Sequence, residues 1–297
     1  MSSVEDYNRV SMKKYGWSPW DFGLPFDAHS SAVIEAVKEF QHRYGLAADG
    51  MVGPITIRRV YSERELKSME SSQGRGFILV NGQPVSVPFK ARMCGPNSEY
   101  DLTKFGDFTS RSSLPTQVVW HWDCCLSAKS CHRVLSKKGI SSHGCIDNDG
   151  TFVQFLDLGS AAGWHAGHRK VNRASVGIDL TNAVYLKYQK WYRRNFGPRP
   201  VIEDASTNGR THKPFLGYYP AQIETARQLA LKLNEVLGIE LATPESSSVL
   251  EDPEQFKGHI AHYHVTNRKW DVAGFPFRYV VGLENTCSLT TSLVENR

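Results

Sequence analysis

Near the end of the chain, the run Gly258-His259-Ile260-Ala261-His262-Tyr263-His264-Val265-Thr266-Asn267-Arg268-Lys269-Trp270-Asp271 gathers three imidazoles, a lysine and a carboxylate. Imidazole and carboxylate together make a nitrogen-and-oxygen donor set that suits zinc, and a catalytic zinc site keeps one position open for water. His262 and His264 are two residues apart, as are Lys269 and Asp271. On extended backbone, residues two apart point the same way. That spacing predicts Lys269 leaning over whatever Asp271 binds, and it sets His262 and His264 in competition for one ligand position. A third ligand has to come from elsewhere. His121 offers it, at the end of the apolar, strand-like run Val118-Val119-Trp120-His121-Trp122.

These groups need a scaffold. Val118 to Trp122 reads as a strand, Ser175 to Leu180 as a second, and Cys145 to Phe155 as a hairpin turning at Asn148-Asp149-Gly150. A helix opens at Tyr219-Pro220, with Pro220 in its first turn. Ile223, Ala226, Leu229, Ala230, Leu233, Val236 and Leu237 keep the helical period until Gly238. Strands alternating with helices predict an α/β fold, a mixed sheet flanked by helices. Lys187 to Phe215 is long for a loop and reads as a lid or substrate wall. Pro244 to Ser248 reads as a polar loop without a role.

Residues 1–67 read as a separate, small all-α module. Val33, Ile34, Val37 and Phe40 recur at helical spacing, Ser30 or Ser31 is placed to cap that helix, and Gly45 stops it. Asp49-Gly50 signals a turn, and Pro54 fits the first turn of the next helix. Ser62 to Arg75, charged and then Ser/Gly-rich, reads as a linker. Phe77 to Val87 reads as a β-hairpin turning at Asn81-Gly82. The expected division is therefore 1–67, a linker with hairpin over 68–110, and a larger unit over 111–297.

At 297 residues the chain has room for two domains with ample core in the larger. The net charge of +5 favours anionic surfaces, but no basic stripe interleaved with aromatics points to nucleic acid. No segment approaches the roughly 18–20 apolar residues that span a bilayer, so membrane insertion is not expected. Met1 to Tyr7 lacks the basic and apolar regions of a secretory signal, so synthesis in the cytoplasm is expected. Cys124, Cys125, Cys131 and His132 lie close together after His121. A structural metal set there lacks paired C-x-x-C spacing; buried or loop thiols are the plainer reading, and these cysteines receive no role.

His121 after its strand is followed in order by Ser141-Ser142-His143-Gly144-Cys145-Ile146-Asp147-Asn148-Asp149-Gly150-Thr151, then Trp164-His165-Ala166-Gly167. Next come Ser175-Val176-Gly177-Ile178-Asp179-Leu180 and the block from His262 to Asp271. This series, over roughly residues 115 to 280, resembles the zinc-dependent N-acetylmuramoyl-L-alanine amidases related to phage lysozyme-amidases and peptidoglycan recognition proteins. Phe40-Gln41, Gly45-Leu46, Asp49-Gly50 and Val52-Gly53-Pro54-Ile55-Thr56 resemble the small three-helix peptidoglycan-binding domain appended to wall hydrolases.

The resemblance implies roles residue by residue. His121, His262 and Asp271 match the zinc ligands, with the ligand placed at the first histidine of His-Tyr-His. Lys269 matches a lysine that stabilises the oxyanion. Family members draw a general base either from a glutamate in the strand that holds Asp179 here, or from a tyrosine at the position of Ser142. Asp179 is the expected base. His143 and His165 match recurrent pocket histidines, expected to orient ligands or touch substrate. Trp164 is a candidate sugar platform or a core residue. His259, His168, His132, His42, His29 and His212 are expected to be surface or structural. In the binding domain, Asp49, Gly50 and Thr56 are the nearest candidates for wall contact. A Cys125–Cys131 bridge resembles a loop disulfide of the animal recognition proteins, but cytoplasmic synthesis argues against it.

The resemblance thus implies a monomeric peptidoglycan hydrolase using Zn2+ to cut between N-acetylmuramic acid and L-alanine. It would be a phage-type endolysin released to the wall through a holin-type pore. The alternatives are a recognition protein without activity and a zinc peptidase cutting within the stem peptide.

Overall fold

The computed structural model describes residues 3–25, 27–69, 76–95 and 98–287. Three helices make the N-terminal module: α1 (Val4–Tyr15), α2 (Ser30–Arg43) and α3 (Pro54–Met69). Ser3 caps the first by accepting from the Asp6 amide, and Met12 and Tyr15 of that helix pack against the module's core. Trp17, Val33, Val37, Phe40, Val52, Ile57 and Val60 form the core. Ile34 stays half-buried, off that core. The capping expectation for α2 is corrected: Ser30 is already helical, and His29 holds the cap position without a side-chain hydrogen bond. The helix that opens at Pro54 continues through Met69, so 62–69, expected as linker, is helix. The Ser/Gly-rich part of the expected linker, 70–75, lies outside the described residues.

The hairpin of β1 (Gly76–Val80) and β2 (Gln83–Val87) turns at Asn81 and Gly82, both at positive φ (50° and 74°), as Asn-Gly turns do. Asp157 accepts from both turn amides, at 2.9 and 2.7 Å. Ile78, Val80, Val87 and Phe89 belong to the main hydrophobic core, so the hairpin is built into the larger unit rather than linking to it.

The chain continues through β3 (Ala91–Arg92), β4 (Phe108–Ser110), β5 (Gln117–Trp122), α4 (Ala128–Lys138), β6 (Gly144–Ile146), β7 (Phe152–Gln154) and β8 (Ala161–Gly163). Next are α5 (Arg169–Ala174), β9 (Ser175–Leu180) and α6 (Gln189–Asn195). Two small ribbons pair β10 (Val201–Ile202) with β13 (Phe215–Leu216) and β11 (Ser206–Thr207) with β12 (Arg210–Thr211). Last come α7 (Pro220–Leu237), β14 (Gly258–Ala261), α8 (His262–Val265) and α9 (Phe277–Val280).

Six strands form one mixed sheet in the order β14-β5-β9-β6-β7-β3. Strands β14, β5, β9 and β6, from one edge inward, run parallel and are buried along their length, which explains their continuous apolar character. Even residues of β9 (Val176, Ile178, Leu180) enter the main core with α7. The odd ones (Ser175, Gly177, Asp179) face the other way.

The lid expectation for 187–215 is corrected. The segment carries α6 and the two ribbons, anchored by the buried Arg199 guanidinium on Gly217 O (2.6 Å), Thr181 O (2.5 Å) and Asn148 Oδ1 (2.6 Å). Helix α6 packs against α3, and Arg58 donates to Arg194 O at 2.7 Å. This segment is a ledge under the N-terminal module.

Candidate active site

The parallel strands end on one side of the sheet, where open α/β sheets bind ligands. Register sets the level of each group: His121 of β5 sits opposite Asp179 of β9, and Cys145 of β6 opposite Asp179 on its other side. Ala261, the last residue of β14, sits opposite Trp120, so His262 emerges beside His121.

Three donor atoms converge. His121 Nδ1 and His262 Nδ1 are 3.1 Å apart, and each lies within 3.2 Å of Asp271 Oδ2 (3.2 and 3.1 Å). Zinc at its usual ~2.0–2.1 Å bond lengths holds tetrahedral N and O ligands roughly 3.3–3.4 Å apart. The triangle matches that face, and all three residues are buried.

His121 has a fixed tautomer. Its Nε2 is 3.0 Å from His165 Nδ1, His165 Nε2 is 3.3 Å from Ser175 Oγ, and that hydroxyl donates to Val171 O at 2.6 Å. Read from the carbonyl back, each hydrogen points away from the metal-facing nitrogen, so Nδ1 of His121 keeps its lone pair. Burial, then the neighbouring His121, keep His165 neutral. Gly177 makes room for that ring: a Cβ there would stand 2.4 Å from His165 Cγ.

His264 does not compete with His262. The backbone turns helical at His262, so residues two apart diverge instead of aligning. His264 Nδ1 accepts from Ala261 N and its Nε2 meets Ser246 O, both at 2.9 Å, away from the triangle. The segment to Asp271 is held by Tyr263 N donating to Asp271 O (3.1 Å). Trp270 packs against Trp122, Phe215 and His212.

A cavity of about 400 Å³ opens over the triangle, with His121, His165, Asp179, His262, Lys269 and Asp271 in its lining. Burial pushes the Asp179 carboxyl up to about 6; His121 opposes this and Asp123 adds to it. Lys269 is exposed at the mouth. Residues from 187–215 do not border this cavity, nor do His143 and Trp164. His143 is fully buried with both ring nitrogens used, accepting from Gly177 N (2.9 Å) and donating to Ala161 O (2.9 Å). It ties strands together and supports the site only through its ring contact with His165. The Trp164 ring is exposed. Cys124, Leu135 and Arg268 also line the cavity; adjacency to His121 and Lys269 is the signal that marks Cys124 and Arg268, whereas Leu135 carries none.

Cys124, Cys125, Cys131 and His132 do not gather into one metal set, and the plainer reading of buried and loop thiols fits their placement. His132 turns into a ring cluster with Tyr100, Phe105 and Phe155, and Cys124 is exposed. None of the described cysteines is in a disulfide, Cys125 and Cys131 included.

In the N-terminal module, Asp49 and Thr56 border a groove of about 470 Å³, whose far wall includes Arg193 and Arg194 of α6. Gly50 is buried beneath it at φ +74°. A Cβ there would meet Ile34 Cγ2 at 2.8 Å, so this glycine serves the turn.

Residues 111–274, more than half of the chain, match the N-acetylmuramoyl-L-alanine amidase family, and residues 13–60 match the peptidoglycan binding domain family. No curated protein matches the chain in sequence. Among solved structures, the chain is similar to the N-acetylmuramyl-L-alanine amidase AmiD from E. coli, in complex with anhydro-N-acetylmuramic acid-L-Ala-D-gamma-Glu-L-Lys. Identity is 17%, with 70% of this chain and 65% of that one covered, at a TM-score of 0.34. The chain thus spans just under two thirds of the length of that structure. With a family match that runs from just before the first strand of the site to just past Asp271, the chain belongs to the N-acetylmuramoyl-L-alanine amidase family and carries a peptidoglycan-binding module at its N-terminal side.

Proposed function

We propose that this protein is a zinc-dependent hydrolase of the amide between N-acetylmuramic acid and the L-alanine of the stem peptide. The observation that carries the reading is the buried triangle of His121, His262 and Asp271 beneath a cavity that also holds a carboxylate and a lysine. Zinc bound there would polarise the scissile carbonyl and lower the pKa of water to about 7. Asp179 takes the proton of the attacking water and returns it to the departing amine; a carboxyl titrating near 6 is suited to both halves of that task. Lys269 faces the carbonyl oxygen as negative charge develops on it. His165 holds His121 in its metal-facing tautomer.

The groove beside Asp49 and Thr56 holds wall polymer and raises the local substrate concentration. A monomeric phage-type endolysin, made in the host cytoplasm and reaching the wall through a holin-type pore, accommodates both modules.

Mass spectrometry of digested sacculi tests the reading. The expected products are glycan with free lactyl carboxylates and peptides with free L-alanine amines, lost on chelation and restored by zinc. Cleavage inside the stem peptide would point to a peptidase, and intact sacculi in every arm to recognition without hydrolysis. The endolysin role is checked by expressing the protein with and without a holin: lysis is expected only with it.

A further inference from the structure

Beside Asp179, with Asp123 and Cys131 in the lining of the same cavity as the triangle, lies a second set of donors. Cys145 continues the row that runs His121, Asp179, Cys145 across β5, β9 and β6. Cys131 reaches it from α4, with Sγ 4.0 Å from Asp179 Oδ2. Asp123, just past the end of β5, completes the set: Cys145 Sγ is 3.7 Å from Asp123 Oδ2, and the Cys131, Cys145 and Asp123 donor atoms all lie within 4.8 Å of one another.

The carboxylate is aimed. Asp123 Oδ1 accepts from the backbone amides of Cys125 (2.8 Å) and Asn182 (3.1 Å), which leaves Oδ2 turned toward the sulfurs. Thr181 Oγ1 sits on the same side, 3.0 Å from Cys145 Sγ and 3.2 Å from Asp123 Oδ2. A tetrahedral ion at about 2.3 Å from sulfur and about 2.0 Å from oxygen separates S from O by roughly 3.5 Å. The observed 3.7 Å is within a few tenths of that.

We propose that Cys131, Cys145 and Asp123 form a second cation site, selective for a thiophilic divalent ion such as zinc or cadmium, with the Thr181 hydroxyl beside the fourth position. The sulfurs bind as thiolates, their two protons leaving to solvent. The site ties α4 to the ends of β5 and β6 and places a cation beside Asp179.

The test uses the full chain, purified under reductant, stripped with chelator and titrated with Co2+ alone. Wild type is expected to take two equivalents and to develop a near-ultraviolet thiolate-to-cobalt charge-transfer band. Cys145→Ser should take one equivalent, without that band. His262→Ala should also take one equivalent but keep the band; because its thiols are untouched, it guards against misfolding of the cysteine variant. No thiolate band in wild type or in His262→Ala, or a band that survives in Cys145→Ser, overturns the proposal. So does a Cys131–Cys145 disulfide that persists under reductant. None of these readouts depends on turnover, so the amidase reading and the second site stand or fall separately.

Discussion

Two polar regions of this molecule look alike in composition and differ in what their hydrogen bonds do. In the N-terminal module, Gln41 donates to Asp49 Oδ1 (2.8 Å) and Met51 O (3.0 Å) and accepts from Gly50 N (2.8 Å), while Asn8 bonds both Gly50 O (2.8 Å) and Val52 N (2.9 Å). Each polar atom is answered by a neighbour, and the result is a rigid turn. At the triangle, two imidazole nitrogens and a carboxylate oxygen crowd within 3.2 Å of one another, around one point. Closed networks hold structure; convergent acceptors await a cation.

The sharpest way to break that contrast is to remove an acceptor. Asp271→Ala or His262→Ala should reduce sacculus hydrolysis to background and lower bound zinc by one equivalent; full activity in either variant would remove the triangle from the chemistry. Asp179→Asn comes next. A loss of about 10²–10⁴-fold in turnover is expected, with zinc content unchanged.

Asp179 also predicts pH behaviour. With Asp179 as the proposed base, activity should rise with pH along a limb at or below about 6, since a bound cation favours ionisation, and Asp179→Asn should lose that limb. For stability the sign is opposite. The folded carboxyl keeps its proton to about 6 while the unfolded one releases it near 3.8, so the apoprotein loses stability as pH rises through that window. Above it, Asp179→Asn should melt higher than wild type, as thermal unfolding of the two at neutral pH will show.

Lys269→Ala should cost about 10²–10³-fold in kcat with KM little changed. Because the side chain is exposed, the melting temperature should hold. His165→Ala should weaken zinc affinity by about 10–100-fold, measured by competition with a chromogenic chelator. The smallest catalytic effect belongs to the closed network. Gln41→Ala leaves buried partners unanswered and should destabilise the N-terminal module by about 1–3 kcal/mol, while hydrolysis of soluble muropeptides stays at the wild-type rate.

Legibility in the sequence divides along the same line. His121, His262 and Asp271 are legible as a set through the order of the family's motifs, since spacing alone leaves His262 and His264 both open. The odd–even split of Ser175 to Leu180 is legible as a strand, and Asn81-Gly82 as a hairpin turn. His264 is ambiguous because period-two reasoning holds only on extended backbone, and the chain turns helical at His262. Helix α1 is hard to read because the side chains it buries fully, Asn8 and Ser11, are polar, while its apolar Met12 and Tyr15 are only partly buried. The meeting of Cys131 with Cys145 and Asp123 depends on how α4 lies on the sheet, which no local spacing encodes.

Strand β9 has one more consequence. Its odd positions serve the site and its even positions the oily interior, and partners on both sides fix its register. Losing or gaining one residue between Ser175 and Leu180 would present Ile178 to the cavity and drive a carboxylate into the hydrocarbon layer. Length is therefore frozen here, and variation in chain length among descendants of this protein must fall in the connections at either end.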